Sequence, residues 1–458
     1  MLLLSLLLAA SPTDAWLDQT RARWEGLSRQ IWELAETALK EDKSAALIED
    51  LLEKEGFKVE RNVAGMPTAF LASAGSGPPV VAIMAEYDAL PGLSQKPGEA
   101  KKDPAQEGAP GHGCGHNLLG TAAVAAGVAT NRARIEQKLA GTIQIFGTPA
   151  EELLLGKTFM LKAGAFDRTD VVLSWHPETA NLVVTRPRLA LTATDVEFFG
   201  RTAHAAASPW LGRSALDAVE LFDHAMSLMR EHIQPTARIH RVIKDGGKVP
   251  NVIPDYAKIQ TWLRDQTGAS VEDMLARMRK AADGAALATE TRSKVTVLAS
   301  TRDPINNEVL GRVLQKELER VGPPRFDEKD QAFAKQLQKE IGVEQAGLAT
   351  EVVSFGPNHG GTASSDLGEV SAAVPLAELN VVSRPIGTAA HHWGQTACAV
   401  HPIGLRGMMV AAKVLGASLL DLLADPKTVA AAKAEFAKAT KGKPYQSPLA
   451  ADARPVVY

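Results

Sequence analysis

The residues best suited to chemistry in this 458-residue chain lie in a glycine-rich segment, residues 111–117, with the sequence Gly-His-Gly-Cys-Gly-His-Asn. Cys114 and His116 offer a thiolate and an imidazole, which are donors that Zn²⁺ and similar ions prefer. Glycines on both sides of Cys114 allow positive φ angles and a close approach of the backbone to an ion. The segment therefore predicts a metal site, although a glycine-rich turn with a buried cysteine and a hydrogen-bonded histidine would have the same sequence.

A pair of carboxylates follows the next apolar run. Residues 141–146 have the pattern of a buried strand, and the turn after them leads to Glu151 and Glu152. Because adjacent side chains point in different directions, one carboxylate can bind a metal while its neighbour faces the ligand and takes a proton from water. In isolation, such a pair is also typical of a solvated helix start.

Histidines follow two further segments. Residues 171–175 are apolar and lead to His176, and Pro177 is expected to end that strand. Near the other end of the chain, residues 387–393 contain the adjacent pair His391 and His392. Each histidine alone is more typical of a structural residue. Four donor-bearing turns at the ends of predicted strands nevertheless favour one shared metal centre.

The ordered set of motifs resembles the binuclear metallo-amidohydrolases related to aminoacylases and glutamate carboxypeptidases, and within them the p-aminobenzoyl-glutamate hydrolase branch. The resemblance extends from about Trp24 to about Val414. It rests on Ala-Glu-Tyr-Asp-Ala-Leu-Pro-Gly at 85–92, the segment 111–117, Gly-Thr-Pro-Ala-Glu-Glu at 147–152, Trp-His-Pro at 175–177, Phe-Gly-Arg-Thr-Ala-His-Ala at 199–205 and Gly-Gly-Lys-Val-Pro-Asn-Val-Ile-Pro at 246–254.

The resemblance implies two divalent metal ions per chain, with Zn²⁺ or Mn²⁺ expected and Co²⁺ as a further option. Carried over residue by residue, it makes five residues the ligands: Cys114, His116, Glu152, His176 and His391. Glu151 becomes the general base, and Asp88 is expected to orient a ligand or to raise the basicity of Glu151. His391 is chosen over His392 because it aligns with the family histidine that precedes one residue and then tryptophan. Glu86 takes a position where related enzymes with a different motif carry a metal-binding histidine, and its role stays open.

Three residues in the middle of the chain are predicted to contact the substrate. The resemblance implies that His204 reaches the substrate carbonyl across a dimer interface and stabilises the oxyanion formed on attack; a histidine that caps the following helix is the alternative. Asn251 is a candidate for a polar contact, and Arg264 is a candidate for holding a carboxylate through its planar guanidinium. An arginine near a sheet edge is more often simply solvated. Residues 360–368 resemble a family loop that borders the active site.

These residues predict hydrolysis of an amide bond by metal-activated water, with Glu151 as general base. The expected substrates are small molecules in which an amide lies beside a carboxylate: N-acyl amino acids, p-aminobenzoyl-glutamate or small dipeptides. Two other classes stay open, a thiol hydrolase that uses Cys114 as nucleophile and a binding protein whose metal site has decayed. Missing ligands would identify the decayed site, and all five are present.

Composition agrees with a sizeable enzyme. With 45% hydrophobic residues the chain can bury a large core, and its length predicts two domains. The net charge of −3 is nearly balanced, and the sequence has no basic stripe or nucleic-acid motif, so nucleic acid is not expected as a partner. The two cysteines, Cys114 and Cys398, are expected to stay unpaired because a metal-binding cysteine must be a thiolate.

Alternating strand and helix patterns predict an α/β catalytic domain from residues 16–187 and 302–440, and the resemblance implies the α/β/α form of zinc exopeptidases. Residues 15–55 have the periodicity of an amphipathic helix. Residues 188–301 follow a β-α-β-β-α-β order, the ferredoxin-like unit, which must be inserted because metal motifs lie on both sides of it. The resemblance makes this insert a lid and a dimerisation surface, with a second copy or a related subunit as partner.

The two ends of the chain are expected to differ from the body. Residues 1–15 resemble a secretory signal, which predicts an exported, periplasmic or secreted protein; an apolar first helix or a wrongly chosen start in a cytoplasmic protein is the alternative. The apolar run is too short to span a membrane, and no other stretch is expected to reach the roughly 18 to 20 apolar residues required. Residues 441–458 are expected to form a mobile tail.

Overall fold

The computed structural model describes residues 11–185, 187–357 and 363–457, which form two β-sheets with helices packed against them. The helices, numbered in chain order, are α1 Pro12–Gln19, α2 Arg21–Leu34, α3 Asp42–Lys54, α4 His116–Glu136, α5 Gly156–Lys162, α6 Ala215–Met229, α7 Gly268–Thr289, α8 Glu308–Val321, α9 Glu328–Ile341, α10 Leu367–Ala373, α11 Trp393–Cys398, α12 Pro402–Ala424 and α13 Pro426–Ala439.

The larger sheet has seven strands, and its four central strands run parallel to one another. Its strands, in spatial order, are β1 Lys58–Arg61, β2 Phe70–Ser76, β4 Gly141–Gly147, β3 Val80–Ala85, β5 Val171–Glu178, β11 Leu376–Val382 and β6 Leu182–Val183. Parallel strands end at the same edge of a sheet, where ligands of open α/β sheets bind. The turns after β3, β4 and β5 therefore bring the predicted ligands together at one edge.

Helices cover both faces of this sheet. Ile83, Ile145 and Leu173 face a core formed with α2, α4, α8 and α12, whereas their strand neighbours Met84 and Phe146 face α5 and α10. This alternation follows from the two-residue period of a strand. The predicted α/β/α architecture is confirmed.

The smaller sheet has four antiparallel strands, covered on one face by α6 and α7 through a core of their own. Its strands, in spatial order, are β10 Arg292–Thr301, β7 Ala190–Phe199, β9 Tyr256–Asp265 and β8 Arg238–Asp245. The chain order β7-α6-β8-β9-α7-β10 confirms the ferredoxin-like unit. The domain boundaries at residues 187 and 302 remain predictions.

The predicted helix over residues 15–55 is three helices. Ala35 ends α2 with φ 42°, a left-handed conformation that stops an α-helix. The Glu36 carboxylate accepts the backbone N–H groups of Lys43 and Ser44 at 3.1 and 2.8 Å and so stabilises the start of α3. The periodicity was right, but alanine gives no sequence indication of a left-handed break.

One helix corrects the expectation that no stretch after the first residues is long and apolar enough to span a membrane. Of the residues that the structure describes, Pro402–Ala424 alone forms a helix long and apolar enough to cross a membrane, with a mean hydropathy of 1.6. Since 78% of its apolar stretch is buried within the structure, α12 is a core helix packed against α4 and the larger sheet. A buried core helix and a membrane span have the same composition.

Both ends of the described chain pack against the body. Residues 1–10 of the predicted leader lie outside the described residues, and its boundary at residue 15 falls inside α1, where Asp14 pairs with Arg320 at 2.5 Å. In the tail, the Tyr445 hydroxyl donates to Glu369 Oε2 at 2.8 Å, and Leu449 is buried. Tyr445 and Leu449 therefore hold the first part of the predicted tail to the body, whereas Val456 and Val457 are exposed.

Candidate active site

The Cys114 segment forms a crowded loop that leads directly into α4. Gly115 precedes the helix with φ 82°, the left-handed conformation that glycine tolerates. Gly113 needs no positive φ, but a Cβ there would lie 2.3 Å from Leu93 Cδ1. The expectation of positive φ therefore holds for Gly115 only, and a side chain at residue 113 would require Leu93 to move.

His391 reaches this loop through its backbone. Its N–H donates to the Gly113 carbonyl at 2.8 Å, and its ring Nε2 lies 3.1 Å from Glu152 Oε2. His392 instead accepts the backbone N–H of Gly394 through Nδ1 at 3.1 Å and caps α11. The structure therefore places His391, and not its neighbour, at the site.

The five predicted metal ligands form two groups that share Cys114. One group is Cys114, His116 and His176, the other is Cys114, Glu152 and His391, and within each group the donor atoms lie within 4.8 Å of one another. In the first group, Cys114 Sγ approaches His176 Nε2 to 3.3 Å. A thiolate common to two donor groups suits a pair of ions, because sulfur can contribute to both sites.

Two buried atoms test whether these residues fit metal ions. Within residues 11–185 and the other described ranges, His116 Nε2 and Glu152 Oε1 are buried and have no hydrogen-bond partner. A buried polar atom without a partner costs about 1 to 3 kcal/mol, so such atoms are rare in folded proteins. Both atoms carry lone pairs that a cation would accept. The donor set of one thiolate, three imidazoles and one carboxylate therefore fits two divalent ions.

Asp88 connects the two donor groups. It is fully buried, its Oδ1 accepts from His116 Nδ1 at 2.8 Å, and its Oδ2 accepts the backbone N–H of Glu152 at 3.0 Å. With Nδ1 protonated, His116 presents the lone pair of Nε2 to the site. Asp88 therefore contacts the ring of His116 and the backbone of Glu152, and not the carboxyl of Glu151; its role in catalysis remains a prediction.

His176 is oriented by its own strand. Its Nδ1 donates to the Pro177 carbonyl at 3.0 Å, which leaves Nε2 to face Cys114. The expectation that Pro177 ends the strand was wrong, since β5 continues to Glu178. Beyond Leu173 the strand pairs only with β11, so a residue without an N–H is tolerated there.

Glu151 and Glu152 lie in a short 3₁₀ turn, Glu151–Leu153, flanked by left-handed residues on both sides. This turn directs Glu152 Oε2 to His391 and places Glu151 Oε2 3.9 Å from His116 Nε2. Burial, with the negative charge of Glu86, raises the pKa of Glu151 to about 7. A carboxyl with this pKa can both accept and return a proton near neutral pH.

Glu41 is a buried residue at this turn that sequence reasoning missed. Its Oε1 accepts the N–H of Ala150 at 2.9 Å, and Ala150 has the left-handed φ of 55° that begins the turn. The only sequence indication would have been an acidic residue within a helical pattern, which is usually solvated.

A second missed feature is the ion-pair network of Lys157. Its ammonium is fully buried and lies 2.8 Å from Glu86 Oε1 and 2.5 Å from Asp366 Oδ1. Burial opposes the charged form, but the carboxylates of Asp366 and Glu86 outweigh it and raise the pKa of Lys157. A lysine followed by the apolar run at residues 158–161 was the available indication.

The donors open into a cavity of about 460 Å³. Arg264 lines it, with its guanidinium 5.3 Å from the ring centroid of Trp262, as does Arg188, which pairs with Glu378 at 2.5 Å and was not predicted. The lining residues are Leu90, Cys114, Glu151, Glu152, Leu154, His176, Glu178, Arg188, Trp262, Arg264, Ala363, Ser364, Ser365, Ala390 and His391. Residues 360–362 of the predicted border loop lie outside the described residues.

His204 and Asn251 lie away from this cavity, side by side on the smaller sheet's unit. Both are exposed, and a backbone bridge joins their segments, with the Ala205 N–H donating to the Asn251 carbonyl at 3.0 Å. His204 Nδ1 accepts the N–H groups of Ala206 and Ala207 at 3.2 and 3.1 Å. Within one chain these two residues do not line the site, and their catalytic roles remain predictions.

Solved structures share this fold. The aminobenzoyl-glutamate utilization protein from Klebsiella pneumoniae has a TM-score of 0.64 at 19% identity and covers 89% of this chain and 98% of its own. A Bacillus subtilis protein described as a dinuclear metal binding peptidase from the M20 family has a TM-score of 0.58 at 17% identity, with 89% and 99% covered.

Sequence comparisons give the family. The model of peptidase family M20/M25/M40 matches residues 82–414. One of the p-aminobenzoyl-glutamate hydrolase subunits of Escherichia coli is 35% identical over 96% of this chain and 98% of its own length, and the Xaa-Arg dipeptidase of Mus musculus is 36% identical over 60% and 62%. The chain therefore belongs to peptidase family M20/M25/M40 and is a metal-dependent hydrolase of amide bonds.

Proposed function

We propose that this chain hydrolyses the amide bond of small N-acyl amino acids, and that p-aminobenzoyl-glutamate is the first substrate to test. The observation that carries the proposal is the pair of donor groups sharing Cys114, with Glu151 beside them in one cavity. The names of two relatives support the substrate class, since p-aminobenzoyl-glutamate and a dipeptide both place an amide beside a carboxylate.

The residues of the site have separate roles in the proposed reaction. Two divalent ions, Zn²⁺ or Mn²⁺ with Co²⁺ as a further option, would be held by the two donor groups; when bound, they lower the pKa of water and polarise the carbonyl. Glu151 accepts a proton from the attacking water and later donates it to the leaving amine. In the metal-free chain, burial raises the pKa of Glu151 to about 7, which makes it a stronger proton acceptor than an exposed glutamate. Asp88 keeps His116 and Glu152 oriented throughout.

Arg264 supports the preference for a substrate with a carboxylate. Its side chain lines the cavity, and its guanidinium carbon lies over the Trp262 ring, 5.3 Å from the ring centroid. A planar guanidinium binds a carboxylate through two parallel hydrogen bonds. Arg264 thereby fixes the end of the substrate that leaves with the amine.

A second copy of the chain is the partner that the exposed surface favours. Strand β8 lies at the edge of the smaller sheet and exposes Val242 and Ile243, while α6 exposes Leu221 and Leu228. An edge strand has unpaired backbone groups that can pair with another strand, and two-fold symmetry allows the same edge to pair with itself. In such a homodimer, His204 and Asn251 would serve the partner's cavity, where His204 stabilises the oxyanion; a related subunit is the alternative occupant.

We propose that the protein is exported from the cytoplasm. The apolar run of residues 1–10, followed by small residues, supports cleavage of a leader. Intact mass and the N-terminal sequence of the protein recovered from a periplasmic or culture fraction would test this. Recovery of an uncleaved cytoplasmic chain would contradict it.

The hydrolase proposal is tested by measuring amine release with and without metal. Protein purified without chelator should release p-aminobenzoate from p-aminobenzoyl-glutamate, lose this activity on metal stripping and regain it with Zn²⁺ or Mn²⁺. A panel of dipeptides, including some with C-terminal arginine, would rank the substrates. Activity that survives complete stripping would contradict the proposal.

Glu151→Gln is the matched control variant. It keeps the size of the side chain and all five predicted ligands but removes the proton acceptor, so it should bind metal like the wild type and lose about 10²- to 10⁴-fold in kcat. A Cys114 nucleophile makes different predictions: metal stripping would leave the activity intact, and Glu151→Gln would have little effect.

A further inference from the structure

A buried ion-pair network lies directly behind the His116 side of the predicted metal centre. Lys157 on α5 contacts Glu86 Oε1 at 2.8 Å, and the other oxygen of Glu86, Oε2, lies 3.3 Å from His116 Nε2. Glu86, His116 and Glu151 form a third group of possible ligands, with donor atoms within 4.8 Å of one another. The same His116 nitrogen that lacks a hydrogen-bond partner therefore faces both Cys114 and Glu86.

The two oxygens of Glu86 face different partners. Oε1 lies 2.8 Å from the ammonium of Lys157. Oε2 lies 3.3 Å from His116 Nε2, on the side of the predicted metal centre. We propose that Glu86 supplies a sixth metal donor, on the His116 side of the centre, and that Lys157 is the positioning residue that presents it. This inference rests on the proposed metal-dependent function.

Charge supports a cation beside Glu86. The network holds two carboxylates, Glu86 and Asp366, but a single ammonium, and all three side chains are buried. One ammonium faces two buried carboxylates, so a second cation near Glu86 would complete the pairing of charges in this network. Asp366 is already occupied on both oxygens by Lys157, through Nζ at 2.5 Å and the backbone N–H at 3.0 Å. Glu86 Oε2 is therefore the carboxylate oxygen of this network that Lys157 does not occupy, and it faces the centre.

The added donor also bears on which metal is preferred. Cys114, His116 and His176 offer one sulfur and two nitrogens on this side, a set that suits Zn²⁺. A carboxylate oxygen shifts the set toward harder ions such as Mn²⁺. We therefore expect Glu86 to matter more for Mn²⁺ than for Zn²⁺.

The test is a titration of the stripped protein with Mn²⁺. Binding is measured by the electron paramagnetic resonance signal of free Mn²⁺ and by the metal-induced rise in the unfolding temperature. Glu86→Gln cannot satisfy both sides, since one end of the amide is an NH₂ group that faces either the ammonium or the ion. Glu86→Gln and Lys157→Met should each weaken one of two Mn²⁺ sites by about 10- to 100-fold. The double variant should bind no more weakly than Glu86→Gln, because Lys157 acts through Glu86.

A matched control separates this role from general stability. Arg320 forms a buried ion pair with Asp14 and Glu317 outside the cavity, so Arg320→Met should lower the unfolding temperature of the stripped protein but leave Mn²⁺ binding unchanged. Glu86→Gln keeps the Lys157–Asp366 pair, so it tests the proposal even if Lys157→Met does not fold. Wild-type Mn²⁺ affinity in Glu86→Gln would overturn the inference. A wild-type protein that binds no ion would overturn the proposed function instead.

Discussion

Protonation of Glu41 should control how the stability of the metal-free protein depends on pH. The side chain is fully buried, and its Oε1 accepts the N–H of Ala150 at 2.9 Å. Burial first, and the negative charge of Asp88 second, raise the pKa of Glu41 from 4.5 to about 8. Glu41→Gln copies the neutral acid and keeps a carbonyl acceptor for Ala150. We therefore expect this replacement to stabilise the folded protein increasingly as pH rises.

The sign and the size follow from proton linkage. Between the unfolded pKa of 4.5 and the folded pKa of about 8, the folded protein holds one proton more than the unfolded chain at this position. The free energy of unfolding of the wild type therefore falls with pH, by about 1.4 kcal/mol per unit. Glutamine exchanges no proton, so the advantage of Glu41→Gln should grow by about 2.5 kcal/mol from pH 5 to pH 7 and level off above pH 8.

Urea unfolding of chelator-stripped wild type and Glu41→Gln near pH 5, 7 and 9 measures this difference. Asp327→Asn is the control, because Asp327 accepts the N–H of Asp330 at 3.0 Å and this hydrogen bond lowers its pKa. The stabilisation from this hydrogen bond is complete above the pKa of Asp327 in the unfolded chain and is lost only in acid. The free energy of unfolding of Asp327→Asn should therefore differ from that of the wild type by a constant amount over this range. A constant difference for Glu41→Gln as well would refute the neutral buried acid.

Three further replacements test the site and the assembly. Asp88→Asn can accept only one of its two hydrogen bonds, so we expect metal affinity to fall by about 10- to 100-fold in competition with a chromophoric chelator; an unchanged affinity would refute its orienting role. Arg264→Met should raise KM for p-aminobenzoyl-glutamate by about 10- to 100-fold with kcat little changed, and a selective loss of kcat would contradict ground-state carboxylate binding. If the proposed homodimer forms through the edge strand, Ile243→Lys should give a monomer by light scattering, whereas Leu287→Lys, at an 83% exposed position on α7, should leave the dimer intact.

The fold and the donor set were predictable because both depend on local patterns. Parallel strands end at one edge of a sheet, so donors in the turns after β3, β4 and β5 meet without any knowledge of packing. The β-α-β-β-α-β order of the smaller unit likewise follows from strand and helix periods alone. Donor type and strand position together therefore indicate a cluster of Cys114, His176 and one carboxylate of the Glu151–Glu152 pair, whereas the choice of Glu152 came from the family resemblance.

The residues behind the donors were not predictable, because their roles depend on distant partners. Lys157 is buried through Asp366, 209 positions later in the chain, and Glu41 reaches Ala150, 109 positions later. An isolated lysine or glutamate in a helical pattern is usually solvated. The apolar helix α12 is a similar case, since only its packing distinguishes a core helix from a membrane span.

The turn that carries Glu151 shows why this second layer of residues matters. Glu41 holds the N–H of Ala150 on one side of Glu151, and Asp88 holds the N–H of Glu152 on the other. Strong hydrogen bonds to the carboxylate of a general base would lower its pKa and weaken its affinity for a proton. Fixing the backbone on both sides positions Glu151 without that loss, so its burial can keep its pKa near neutrality. The placement of the proposed base and its basicity therefore depend on different residues, and a replacement that removes the hydrogen-bond acceptor at residue 41 or 88 should displace Glu151.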